Sequence, residues 1–163
     1  MSHFRLAVER ALTGVGPFTR PVSESILEIA YLTMAVDEDL RDEEIEAFSV
    51  IAATMLQQKR ASGGIETLDD HSLRDWLDKF AGQLDRATIQ DRLEAAVKSL
   101  GDNHLARLTA YRVATLMAMC DLDAHDREFE FDLQLIATLG VSQEEADTII
   151  DEVNQAVTPA EVN

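Results

Sequence analysis

One stretch of this chain occurs twice, 84 residues apart, and it limits the fold more than any other feature. Ala30 to Thr54 reads AYLTMAVDEDLRDEEIEAFSVIAAT, and Ala114 to Thr138 reads ATLMAMCDLDAHDREFEFDLQLIAT. Aligned without a gap they share nine identities in 25 positions, and several of the remaining pairs exchange one apolar residue for another. Four identities are carboxylates in the pattern D-x-D-x-x-D-x-E: Asp37, Asp39, Asp42 and Glu44, then Asp121, Asp123, Asp126 and Glu128. Apolar residues at helical spacing lie on both sides of each acidic cluster, so the pattern predicts helix, short acidic loop, helix, twice.

The rest of the chain extends this reading. Phe4 to Leu12 predicts a short helix ending at Gly14, and GVGPFTRPVS a turn-rich connector, with Ser23 as N-cap of the next helix. That helix has Ile26, Leu27, Ile29, Ala30, Met34 and Val36 around most of its circumference, which belongs in the middle of a bundle. Asp42 and Asp126 are expected N-caps, and Ser62-Gly63-Gly64 marks a break between halves. Leu73, Trp76, Leu77, Phe80 and Leu84, and then Ile89, Leu93, Val97 and Leu100, predict two amphipathic helices, the second closed by Gly101.

The second central helix follows, capped by Asp102 or Asn103 and carrying Leu105, Leu108, Val113, Leu116, Met117 and Cys120. Phe129, Phe131, Leu133, Ile136 and Leu139 mark the helix after the second loop, ended by Gly140. Ser142 with Glu145 forms a capping box for a last helix. No segment alternates with period two, so the expected fold is all-α, about eight helices in one bundle-like domain built from two related helix-loop-helix units. Residues 1–23 read as an N-terminal helix and connector, 24–157 as the helical domain and 158–163 as a frayed tail.

A net charge of −17 on 163 residues disfavours nucleic acid and anionic membranes and favours cations or basic protein surfaces. No apolar run approaches a membrane span, residues 1–20 hold no signal-type apolar segment, and the single Cys120 suits a reducing compartment. The expectation is a cytoplasmic protein without membrane insertion, with a protein partner and with homodimerisation open.

The acidic loops admit two readings. Asp42, Asp126, Glu43, Glu44 and Glu128 lie where a helix N-terminus favours negative charge and need no metal. Asp37, Asp39, Asp121 and Asp123 lie at helix C-termini, where the dipole disfavours a carboxylate by about 0.3–1 kcal/mol each. Carboxylates two residues apart, joined by a Glu from the next helix, can converge on Ca²⁺, Mg²⁺ or Mn²⁺. The metal candidates are therefore Asp37, Asp39, Glu44, Asp121, Asp123 and Glu128. The loops lack the Gly and the bidentate Glu spacing of an EF-hand.

These features resemble the tellurite-resistance TerB-like family. MAMCDLDAHDREFEFDLQLIATLGVSQEEA is similar to the family's C-terminal helix pair and MAVDEDLRDEEIEAFSVIA to its N-terminal pair. The resemblance covers most of residues 24–155 and implies a duplicated all-helical fold, a divalent metal at acidic residues, and a cytoplasmic role in tellurite resistance or stress response, often as an interaction module. It places the family's Asp on Asp37 and Asp121 and its Glu on Glu44 and Glu128. The family's Gly after that Asp is here Glu38 and Leu122.

His125 could add a nitrogen ligand and shift the second loop towards zinc, although its counterpart Arg41 cannot, and a solvated role suits it better. Cys120, Met34, Met55, Met117 and Met119 read as core, as do Trp76 and Phe80 unless an edge of Trp76 is exposed. His71 and His104 read as structural. No phosphate loop, nucleophile elbow or Cys–His pairing points to catalysis. The expected function is a divalent-cation-binding regulatory or interaction domain. The alternatives are a metal-free acidic scaffold for a basic partner and a metal-dependent hydrolase.

Overall fold

Thr19, not Ser23, opens the first long helix. Its backbone is extended at φ −65°, ψ 160°, and its hydroxyl accepts from the Val22 N–H at 3.5 Å. Pro21 sits in the first turn, where a missing N–H costs nothing and the fixed φ suits a helix. Ser23 lies a turn inside, 2% exposed. The connector expected through residue 23 is thus shorter, because Pro21 initiates the helix instead of breaking the chain.

The computed structural model describes residues 8–12, 18–36, 42–55, 70–119 and 126–157. Among them are eight helices and no strand: α1 (residues 8–11), α2 (Arg20–Ala35), α3 (Asp42–Met55), α4 (Asp70–Leu84), α5 (Ile89–Leu100), α6 (His104–Met119), α7 (Asp126–Leu139) and α8 (Gln143–Val157). They share one hydrophobic core, and among the described residues no helix is long and apolar enough to cross a membrane. The expected break at residues 62–64 and the tail at 158–163 lie outside the described residues, as do Phe4 and Gly14.

Two helices form the centre. α2 is buried from Ser25 to Met34, and α6 buries Ala106, Thr109 to Tyr111 and Val113 to Met117. These two pack against each other most extensively; α5 adds to α2 and α8 to α6. Such helices must also satisfy buried hydroxyls. Thr33 donates to the Ile29 carbonyl at 2.9 Å, Thr109 to Leu105 at 2.8 Å and Thr115 to Tyr111 at 2.8 Å. α4 joins the core through aromatics: Trp76 stacks on Phe80 at 5.6 Å, and Phe80 meets Tyr31 and, edge-on, Phe48.

Both helix pairs that flank an acidic loop are antiparallel hairpins, latched at the end away from the loop. The Ser23 hydroxyl near the start of α2 donates to the Met55 carbonyl at the end of α3 at 3.4 Å. The Arg107 guanidinium near the start of α6 donates through Nη1 to the Leu139 carbonyl at the end of α7 at 2.9 Å. Residue 107 is the counterpart of residue 23 and residue 139 that of residue 55. The bounds of α6 and α7 also match those of α2 and α3 residue for residue at the same 84-residue offset.

Local signals hold at most helix ends. Asn103, one of the two expected caps, accepts from the Ala106 N–H at 3.1 Å, and the Ser142–Glu145 box is formed at 3.0 and 3.1 Å. Asp42 and Asp126 are the first helical residues of α3 and α7, and the capping positions before them lie outside the described residues. Two expected core positions are on the surface. Leu133 is 51% exposed because the buried stripe of α7 runs through Phe131, Leu135 and Leu139, and a residue two positions from Phe131 faces the other way. Leu105 is 54% exposed at the first turn of α6, where it lines the open groove against α8.

Candidate functional site

The acidic segments 37–41 and 120–125 lie outside the described residues, and with them Asp37, Asp39, Asp121, Asp123, Arg41, Cys120 and His125. The structure does give what holds them. The first joins α2, which passes through Val36 in right-handed helical geometry at φ −55°, ψ −35°, to α3. The second joins α6 to α7. Each connects its two helices at the end opposite the latch, and α3 also touches α6.

Of the six metal candidates, Glu44 alone has a described side chain. It sits in the first turn of α3 and is 3% exposed, unusual for a carboxylate. Glu128 occupies the same register in the first turn of α7; its side chain is outside the described set. Asp42, two residues before Glu44, is exposed. Among the described residues no group of three or more His, Cys, Asp or Glu side chains is arranged around one point. The donor chemistry of Glu44, a hard carboxylate oxygen beside an aspartate-rich segment, fits a hard divalent cation. Met34 and Met117 belong to the core, as expected.

Three further polar arrangements were not legible in the sequence. Arg92 of α5 grips Glu28 of α2 in a fork, with Nε to Oε2 at 2.6 Å and Nη2 to Oε1 at 2.8 Å, and the Glu28 side chain is only 8% exposed. Tyr111, fully buried, donates its hydroxyl to Asp132 Oδ1 at 2.8 Å. Burial, then the Asp132 hydrogen bond, pushes the phenol far above its ordinary range; burial also raises the Asp132 carboxyl, partly offset by the bond from Tyr111. These partners lie 64 and 21 residues apart in the chain, and no local pattern pairs them.

The third arrangement spans α6 and α8. His104 Nε2 lies 2.6 Å from Glu145 Oε2, and Arg112 Nη2 donates to Glu152 Oε2 at 2.8 Å. Both partner numbers rise together, so α6 and α8 run parallel. Between these two pairs lies a groove of about 300 Å³ floored by Leu105, Leu108 and Ile149. The hydrogen bond from His104, then that from the Ser142 N–H, holds the Glu145 carboxyl below its usual range. The other described histidine, His71, faces Asp75 at 3.5 Å.

Trp76 is 8% exposed, as a core anchor should be, and its remaining surface is shared by two cations. Arg20 lies 5.4 Å and Lys79 5.2 Å from its ring, and Lys79 also donates to Glu24 at 3.3 Å. The ring is thus covered by two cations that already share Glu24 as a partner.

No protein-family model, no curated protein and no solved structure matches this chain.

Proposed function

We propose that this chain is a divalent-cation-binding helical interaction domain, of the kind that resemblance to the TerB-like family implies, acting in the cytoplasm in a stress response such as tellurite resistance. The observation that carries the reading is Glu44, a buried carboxylate one turn beyond an aspartate-rich loop, at the position the resemblance assigns to a ligand. A carboxylate held in place by burial at the start of a helix presents a fixed oxygen donor to a divalent cation in the adjoining loop.

In this reading Asp37, Asp39 and Glu44 hold one cation, and Asp121, Asp123 and Glu128 a second. Matched bounds and matched latches support treating the two hairpins as related units. Each cation would neutralise carboxylates that a helix C-terminus disfavours and so fix the loop end of its hairpin. The partner is a protein with a basic surface, attracted by the net charge of −17.

The test is thermal unfolding of chelator-treated protein, titrated with Ca²⁺, Mg²⁺, Mn²⁺ and Zn²⁺ at fixed ionic strength. Wild type is compared with Glu44→Gln and with the double variant Asp37→Asn, Asp121→Asn. One cation should raise the wild-type midpoint, by about 2.7 kcal/mol at roughly 100 times its Kd, and leave the double variant unmoved. If every cation acts only as a screening salt, the loops are capping segments of a metal-free acidic scaffold. Neutralising Asp37 and Asp121 should then stabilise the fold slightly.

A further inference from the structure

We propose that the groove between α6 and α8 docks an amphipathic, basic helix from a partner protein. The inference rests on the partner-binding half of the proposed function and is independent of the cation. Its first support is the floor. Leu105 is 54% exposed, one of only two large apolar side chains so exposed among the described residues, and it stands at the mouth of an apolar trough with Leu108 and Ile149. At about 300 Å³ the trough lies at the lower end of ligand-site volumes, room for one or two anchoring side chains.

The second support is charge. Glu144, Glu145 and Glu152 rim the groove against the single guanidinium of Arg112. α8 adds Asp147 and Asp151 and carries no Lys or Arg along its length. Glu145 and Glu152 already face His104 and Arg112, so Glu144, Asp147 and Asp151 supply the excess negative charge, which favours an apolar anchor flanked by cations over one flanked by carboxylates.

The third is geometry. Glu144 and Glu152 are about 12 Å apart along α8 at 1.5 Å per residue, which is two turns of a helix. A partner helix with Arg or Lys two turns apart and a Leu, Ile, Phe or Met midway would set its cations on the rim while its anchor enters the trough. The His104–Glu145 and Arg112–Glu152 pairs hold α6 and α8 together at the two ends, so the trough exists before the partner arrives.

The probe is a set of capped synthetic helices with Arg two turns apart and Leu, Ile, Phe or Met between, titrated into the isotope-labelled full chain in the presence of chelator. At least one should bind saturably, with chemical-shift changes concentrated on Leu105, Leu108, Thr148 and Ile149. Leu105→Ser, at an exposed site that leaves the fold intact by circular dichroism, should weaken binding about tenfold or more. Glu144→Lys should weaken it too, and replacing the peptide's Arg by Glu should abolish it. Shifts spread over the whole acidic surface, equal binding by Leu105→Ser, or no binding by any probe would overturn the proposal. So would sedimentation showing a dimer that Leu105→Ser dissociates, since the occupant is then a second copy. Because the titration is run without divalent ions, a failure here leaves the cation reading standing, and a silent cation titration leaves this one standing.

Discussion

The Tyr111 hydroxyl donates to Asp132 Oδ1 at 2.8 Å, whereas the counterparts of these residues in the first hairpin are Leu27 and Phe48, both fully buried. One hairpin therefore fills this place with two apolar side chains, and the other with a phenol and a half-buried carboxylate that must be hydrogen-bonded to be tolerated.

Asp132 makes the second hairpin pH-sensitive. Its carboxyl is raised by burial, so the folded state holds the proton more tightly than the unfolded chain. Its contribution to stability is full below the ordinary aspartate pKa of about 3.9 and is lost as pH rises through the raised value. Asp132→Asn keeps an acceptor for Tyr111 and removes the titration. The midpoint difference between variant and wild type should therefore grow in the variant's favour across that window. A difference independent of pH would show that ionisation of Asp132 carries no penalty. Tyr111→Phe, which removes the donor, should cost about 1–2 kcal/mol at neutral pH.

The Arg92–Glu28 fork should be asymmetric under mutation. Glu28 is the more buried partner, so Arg92→Ala strands a carboxylate inside and should cost about 2–3 kcal/mol by urea unfolding, below the fully buried range because Arg92 is 24% exposed. Arg92→Lys keeps the charge and loses the fork, and should recover only part of that. A cost under about 1 kcal/mol for Arg92→Ala would mean that the pair is no stronger than an ordinary surface bridge.

Gly101 and Gly82 should respond to alanine with opposite signs. Gly101 closes α5 at φ 62°, ψ −142°, a region that side chains avoid, although a Cβ there would meet no atom within 4 Å. Gly101→Ala should cost about 1–3 kcal/mol from backbone strain alone, and Gly101→Asn should not rescue it, because asparagine suits the left-handed helical region instead. Gly82, exposed on α4 with equally open space, should gain up to about 1 kcal/mol as alanine. Equal responses in thermal unfolding would remove the backbone explanation.

The sequence made the helices legible wherever one face was apolar and the ends carried their own chemistry. α5 shows both, with Leu93, Val97 and Leu100 buried and Gly101 in the expected place. Its Thr88–Asp91 capping box is equally local, with the Thr88 hydroxyl 3.0 Å from the Asp91 N–H, and could have been found by the spacing used for Ser142 and Glu145. Pro21 was misleading because proline both ends and starts helices, and only the conformation of Thr19 decides which. Leu105 and Leu133 are apolar at helical spacing, yet which stripe is buried depends on the neighbouring helix. Of the candidate metal residues, only the burial of Glu44 is visible, and its register in α3 was readable from the repeat. The forked Arg92 and the phenol–carboxylate pair join residues distant in sequence, and no periodicity encodes them.

Arg107 donates to the Leu139 carbonyl and also, through Nε, to the Gly101 carbonyl at 2.9 Å, so one side chain ties the turn before α6 to the end of α7. Among the described residues, the corresponding latch in the first hairpin is the Ser23 hydroxyl on the Met55 carbonyl at 3.4 Å, which joins α2 and α3. Opening the second hairpin at this end must therefore part three segments together, and amide exchange at the end of α5, the start of α6 and the end of α7 should slow as one unit.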